Sequence, residues 1–186
     1  MIFREARLPG VFEIDLDGRE DDRGFFARSY CWREFTEHGL DARFVQCNIS
    51  YNRVHGTLRG MHYQEAPHGE AKLIRCSRGA LYDVVIDLRP ESRTYRQWQA
   101  IELTATPGRP SRMLYVPERF AHGFLTLADD TEVFYQMSEF YAPDAARGLR
   151  WNDPAFAIEW PGPVRVISER DRTYPDFIGK ASEVRA

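Results

Sequence analysis

From about residue 43 onward the chain repeats one pattern, in which extended runs rich in Val, Ile, Tyr and Phe are cut by Gly, Pro, Asn and Asp. The runs are RFVQCNISY, GTLRGMHYQ, AKLIRCS, ALYDVVIDL, QWQAIEL, RMLYVP, HGFLTLA and TEVFYQMSEFY. Short strands at this spacing predict an all-β antiparallel sandwich or barrel, not alternating strand and helix units. Residues 1 to 30 predict two further strands, around Val11 to Ile14 and in the aromatic run after the acidic turn of DDRGFF. WREFTEH, residues 32 to 38, reads as a short helix with Trp32 and Phe35 on one side and Gly39 to stop it. A length of 186 residues without internal repeat, low-complexity tract or linker is that of one domain with a hydrophobic core.

Within this β pattern, GTLRGMHYQ is the stretch where chemistry is expected. It sets Arg59 and His62 among apolar neighbours, although an unpaired charge is costly to bury and an imidazole needs partners. Taken alone, His62 is equally a structural residue. Strand parity adds a conflict, because Arg59 and His62 would point to opposite faces of a regular strand. Gly60 lies between them, and a glycine inside a strand often marks a bulge that resets the alternation. A bulge or kink near Gly60 is therefore expected if both side chains serve one pocket.

Other polar residues on the predicted strands carry two readings each. Lys72 opens AKLIRCS and is by local sequence an edge lysine in water or a cation for a site. Asp83 and Asp87 share one face of LYDVVIDLR, where an inner face would require a cation, an imidazole or water and an outer face nothing. Tyr135 is packing or a phenol placed to exchange a proton. His122, in FAHGF, has the same ambiguity as His62.

Several function classes are disfavoured. A formal net charge of -3 supplies no general field to hold nucleic acid or an anionic membrane. Cys31, Cys47 and Cys76 are odd in number and include no C-x-x-C pair, which argues for reduced thiols and against a disulfide framework or a cysteine zinc site. No secretory signal pattern and no bilayer-length apolar run occurs, so a soluble, cytoplasmic protein is expected. His62 has no histidine two or four residues away; His62, His122 and one Asp could still form a three-ligand metal site, but no metal is expected. Neither glycine-loop nucleotide motif is present.

Taken in order, FVQCNIS, GTLRGMHYQ, AKLIRC, DVVIDLR, VPERFAHGF, the segment from Tyr135 to Tyr141, RWNDP and ISERD resemble the RmlC family of dTDP-4-dehydrorhamnose 3,5-epimerases over roughly residues 2 to 177. The resemblance implies a cupin-type jelly roll with a few short peripheral helices, and a homodimer in which N-terminal strands cross to the partner. It implies a nucleotide diphosphate sugar with a ketone at C4 as substrate. The ketone acidifies the protons on C3 and C5, so a base on one face, an acid on the other and a cation at the oxyanion suffice. No cofactor is implied.

By the same resemblance, His62 is the base, Tyr135 the opposing acid and Asp171 the carboxylate that orients the imidazole, with Asp83 as a rival or additional orienting acid. Lys72 matches the cation near the C4 oxygen. Arg59 and His122 match contacts to the sugar or diphosphate, Gln46, Asn48, Arg23 and Arg170 further substrate contacts, and Tyr141 the aromatic ring at the nucleotide end. Arg23 is expected to reach the partner subunit's pocket.

Two positions depart from the family pattern. Arg28 stands where the family commonly has a Glu among its nucleotide contacts; an acceptor has become a forked donor, so another nucleobase than thymine is conceivable. Arg119 stands where the family usually has Gly. The extent of reaction stays open, since relatives that invert C3 alone share the His, Asp and Tyr set. A cupin that binds a sugar nucleotide without turning it over is the non-enzyme alternative.

Overall fold

The computed structural model describes residues 1–178. Fourteen strands and two short helices follow in the order β1 (Ile2–Glu5), β2 (Phe12–Asp15), β3 (Gly18–Asp21), β4 (Gly24–Ala27), α1 (Trp32–Glu37), β5 (Gln46–Asn52), β6 (Thr57–Gln64), β7 (Lys72–Arg78), β8 (Ala80–Asp87), β9 (Trp98–Thr104), β10 (Met113–Val116), β11 (Phe120–Thr126), β12 (Thr131–Met137), β13 (Ala146–Gly148), β14 (Val166–Ile167) and α2 (Glu169–Arg172). All eight runs predicted beyond residue 43 form strands. The N-terminal region holds four strands where the sequence predicted two, because β1 and β3 are short pieces that add to β2 and β4 as antiparallel hairpins.

The strands form two main sheets. One has the order β1-β2-β10-β7-β12-β5; the other is β13-β6-β11-β8-β9, with β14 pairing in parallel to β6. Non-consecutive neighbours such as β6 beside β11 and β7 beside β12 are the long crossings of a jelly roll, and β3-β4 stands as a separate two-stranded ribbon. Between the two sheets lies a core that includes Ile74, Leu81, Val85, Leu103, Leu114 and Phe124. Phe35 of α1 packs on the outer side of the first sheet with Ile14, Leu73 and Tyr115. Phe156 and Trp160, from the segment after β13, pack with Met61 and Ile86. Among the described residues no helix is long and apolar enough to cross a membrane.

Helix α1 ends as expected, with Gly39 at a φ of +69° just beyond it. Its two aromatic residues do not share a burial, however. Phe35 is fully buried, whereas Trp32, at the first helical position, is 61% exposed. Asp87 shares its inward direction with Asp83 but belongs to the scaffold. Its carboxylate accepts hydrogen bonds from Arg89 Nε and Nη2 and from the Thr94 hydroxyl, and both acids are completely buried.

The irregularity in β6 sets the geometry of the site. His122 pairs with His62 and Phe124 with Arg59, so three steps along β6 match two along β11. Gly60 occupies this bulge with a φ of +142°, a conformation that only glycine adopts without strain. A Cβ at Gly60 would sit 2.5 Å from the Cα of Gly123. The two glycines therefore allow the strands to touch. Gly60→Ala is expected to destabilise the protein by about 2–4 kcal/mol, from steric overlap plus backbone strain; chemical denaturation against the wild type measures it.

Asp87 gives a second expectation. Burial pushes its carboxyl up, but hydrogen bonds from Arg89, Ser92 and Thr94 outweigh burial and bring it down to about 2. Because the folded-state value is depressed, its stabilisation of about 2 kcal/mol is complete above the unfolded-state value and lost as pH falls through the folded one. The difference in melting temperature between wild type and Asp87→Asn should shrink between about pH 4 and pH 2.

Candidate active site

The bulge turns Arg59 and His62 toward one cleft of about 690 Å³, lined also by Lys72, His122, Tyr135 and Asp171. A second cleft of about 390 Å³ shares His62, Lys72 and Tyr135 with it and extends past Gln46, Asn48, Tyr141 and Arg170. Together they are the size of a site for a small organic molecule.

His62 lies near the end of β6, and its imidazole reaches the short helix α2. The Ser168 hydroxyl caps this helix by accepting from the Asp171 N–H at 3.1 Å. Asp171, buried at 4% exposure, then lies 2.7 Å from His62 Nε2 through Oδ1, while Oδ2 accepts from the Gly60 N–H at 3.3 Å. Burial pushes the Asp171 carboxyl up, yet the bonds from His62 and Gly60 hold it below its usual value. An ionised carboxylate only accepts, so Nε2 carries the hydrogen and Nδ1 keeps its lone pair. That is the tautomer of a neutral base.

His122 is the register partner of His62 across β11 and β6, and it has its own carboxylate. Its Nε2 lies 2.8 and 3.0 Å from the two oxygens of Asp83. Burial pushes the Asp83 carboxyl above its usual value, against the opposing pull of His122 and Lys72. Asp83 therefore faces His122 and not His62, which corrects its expected place as a rival to Asp171. Parity explains the difference: Asp83 on β8 is two residues from Val85, the point opposite His122, and so shares its face, whereas β6 lies beyond β11.

Lys72 begins β7, and its ammonium is ion-paired with Glu70 inside the cleft; both side chains are less than a tenth exposed. The edge-lysine reading fails for this reason. Glu70 is a residue the sequence reading did not name. Its position two before Lys72 placed it on the same side of the chain, a signal that was legible in HGEAKL. Tyr135, on β12, is half-buried, and burial followed by the charge of Glu70 pushes its phenol up, with Arg59 opposing. The phenol accordingly stays protonated at neutral pH and is a donor.

The remaining expected residues divide into two groups. Arg59 Nε donates to Asn52 Oδ1 at 2.8 Å, and Gln46 Oε1 accepts from the Tyr141 N–H at 2.6 Å, which fixes the rim of the second cleft. Asn48 Nδ2 lies 3.2 Å from the Met137 sulfur. Arg170 Nε donates to the Tyr174 hydroxyl at 2.8 Å. Arg23 and Arg28 do not line either cleft of their own chain. Arg23 is ion-paired with Asp21 on the β3-β4 ribbon, and Arg28 lies 3.4 Å from Glu34. Arg119 keeps a left-handed φ of +66° and reaches Glu91 through both terminal nitrogens at 2.6 and 2.9 Å, away from the clefts.

The arrangement supplies an oriented base, a buried cation and a protonated phenol around one cavity. Residues 5–178 match the family model described as dTDP-4-dehydrorhamnose 3,5-epimerase. A relative of that description from Sinorhizobium fredii is 42% identical over 178 residues, covering 95% of this chain and 90% of the relative. The crystal structure of the Bacillus anthracis dTDP-4-dehydrorhamnose 3,5-epimerase, with TDP and PPi bound, is 39% identical, with a TM-score of 0.89 over 95% of this chain and 99% of that one. ChmJ, a 3'-monoepimerase from Streptomyces bikiniensis in complex with dTDP-quinovose, is 29% identical, with a TM-score of 0.83 over 92% and 86% of the two chains. The chain thus belongs to the dTDP-4-dehydrorhamnose 3,5-epimerase family.

Proposed function

We propose that this protein epimerises a nucleotide diphosphate 4-keto-6-deoxyhexose at C3 and C5, converting dTDP-4-dehydro-6-deoxyglucose to dTDP-4-dehydro-L-rhamnose. The observation that carries the reading is the His62–Asp171 pair opening into a cleft shared with Tyr135 and Lys72. His62 takes the proton from the carbon beside the ketone, and the Asp171 carboxylate stabilises the imidazolium that forms. The electron pair moves to the C4 oxygen as an enolate, where the Lys72 ammonium offsets the charge. Tyr135 then gives its proton to the opposite face of the carbon, which inverts it. Arg59 and His122 bind the sugar or diphosphate, Gln46, Asn48 and Arg170 extend the contacts, and Tyr141 lines the nucleotide end.

The protein works in this reading as a homodimer. The β3-β4 ribbon, outside both main sheets, leaves Phe26 75% exposed and carries Arg23, features suited to a strand pair that reaches a partner's cleft. Arg28 follows that ribbon and would meet the nucleotide base with a donor, which bears on base preference. Inversion at C3 alone is the second reading, favoured by the likeness to ChmJ.

NMR of dTDP-4-keto-6-deoxyglucose with the enzyme in D2O tests both. Deuterium and inverted configuration are expected at C3 and C5; label at C3 alone would establish the single epimerase, and no label beside an active control enzyme would overturn the reading. Under the same conditions His62→Asn is expected to lose about 10²–10⁴ of the rate of both exchange and inversion. Tyr135→Phe should keep part of the exchange and lose most of the inversion. Wild-type inversion by Tyr135→Phe would remove the phenol from the mechanism.

A further inference from the structure

On the sheet face that carries His62, the neighbouring position on β13 is Gly148, its register partner. Paired residues of antiparallel strands put their side chains side by side, so a side chain at 148 would stand beside the imidazole. The glycine has no side chain to occupy that place, and the ring of Tyr174 fills it. A Cβ built on Gly148 would lie 2.1 Å from Tyr174 Cζ, so the phenol end of the ring rests directly on the glycine backbone. From there the ring meets His62 edge to face, with centroids 6.3 Å apart and planes at 70°.

Tyr174 follows Asp171 by three residues. The segment from 171 to 174 therefore restrains one imidazole twice, at Nε2 by the carboxylate and along the ring by the aromatic side chain. The Tyr174 hydroxyl also accepts from Arg170 Nε at 2.8 Å, and Arg170 lines the second cleft together with Tyr141. One continuous set of contacts joins the imidazole to the rim of the second cleft.

We infer that Tyr174, seated in the notch left by Gly148, is a positioning residue that fixes the plane of the His62 ring and ties it to Arg170. The role rests on the epimerase reading and adds to it a residue that acts only through His62 and Arg170. The ring and the hydroxyl have separable duties. Loss of the hydroxyl frees Arg170 and weakens binding at the nucleotide end, whereas loss or displacement of the ring lets the imidazole rotate and slows proton abstraction, because small errors of placement are costly at a reacting atom.

Steady-state kinetics of the full chain, read by deuterium uptake from D2O with dTDP-4-keto-6-deoxyglucose, separates the two. Tyr174→Phe is expected to raise KM by about threefold to tenfold with kcat retained. Tyr174→Ala should lower kcat by about tenfold or more. Gly148→Ala should lower kcat similarly by pushing the ring out, and adding it to Tyr174→Ala should cost little more, because the ring it displaces is already gone. Melting temperatures of the wild type and all four variants accompany the kinetics, and Tyr174→Phe keeps the ring where truncation unfolds the chain. A wild type that takes up no deuterium overturns the epimerase reading and this role with it. A wild type that takes up deuterium while folded Tyr174→Ala matches its kcat, or while Tyr174→Phe matches its KM, overturns the role alone.

Discussion

The approach of β6 to β11 at Gly60 and Gly123 is the contact on which the site depends. Each glycine occupies the space in which the other's side chain would stand: a Cβ on Gly123 would fall 2.8 Å from the Cα of Gly60. This closeness accommodates the extra residue of the bulge in β6. The bulge brings Arg59 round to the cleft that His62 faces, and it aims the Gly60 N–H at the Asp171 carboxylate. A regular ladder through the same residues would have satisfied the backbone equally well and divided the two side chains between opposite faces.

Electrostatics in the cleft is organised in pairs. His62 has Asp171, His122 has Asp83 and Lys72 has Glu70. Each of these ionisable groups would be expensive to bury alone, and each partner makes the burial tolerable while fixing an orientation. The pairs are not equivalent. Asp171 is held below its usual value by hydrogen bonds to a half-exposed imidazole and a backbone N–H, whereas Asp83, completely buried, is driven upward. Two histidines side by side on neighbouring strands thus meet carboxylates of different character.

Asp87 shows how the same type of residue serves the scaffold. It lies on the strand face that carries Asp83, four residues on, and differs only in what surrounds it. Arg89, Thr94 and the turn after β8 close around its carboxylate and leave it no opening to the cleft. Chemistry in this protein is therefore assigned by neighbours across strands, not by residue type along them.

Much of the fold was legible in the chain because its physical cause is local. Alternating apolar residues between turn formers specify strands, and the parity clash between Arg59 and His62 pointed to a bulge at the glycine between them. The ordered motifs, matched as a set, carried the family. What the sequence by itself could not determine was pairing at a distance. Asp83 and Asp171 were both plausible partners for His62, and the choice was made by β11 lying between β6 and β8 and by α2 returning more than a hundred residues later to the bulge. Tyr174 over Gly148 arises likewise from the packing of segments, as does the outward direction of Trp32. Local propensity acts over a few residues, while the burial that pairs charges and seats rings acts between parts of the chain that only the folded structure brings together.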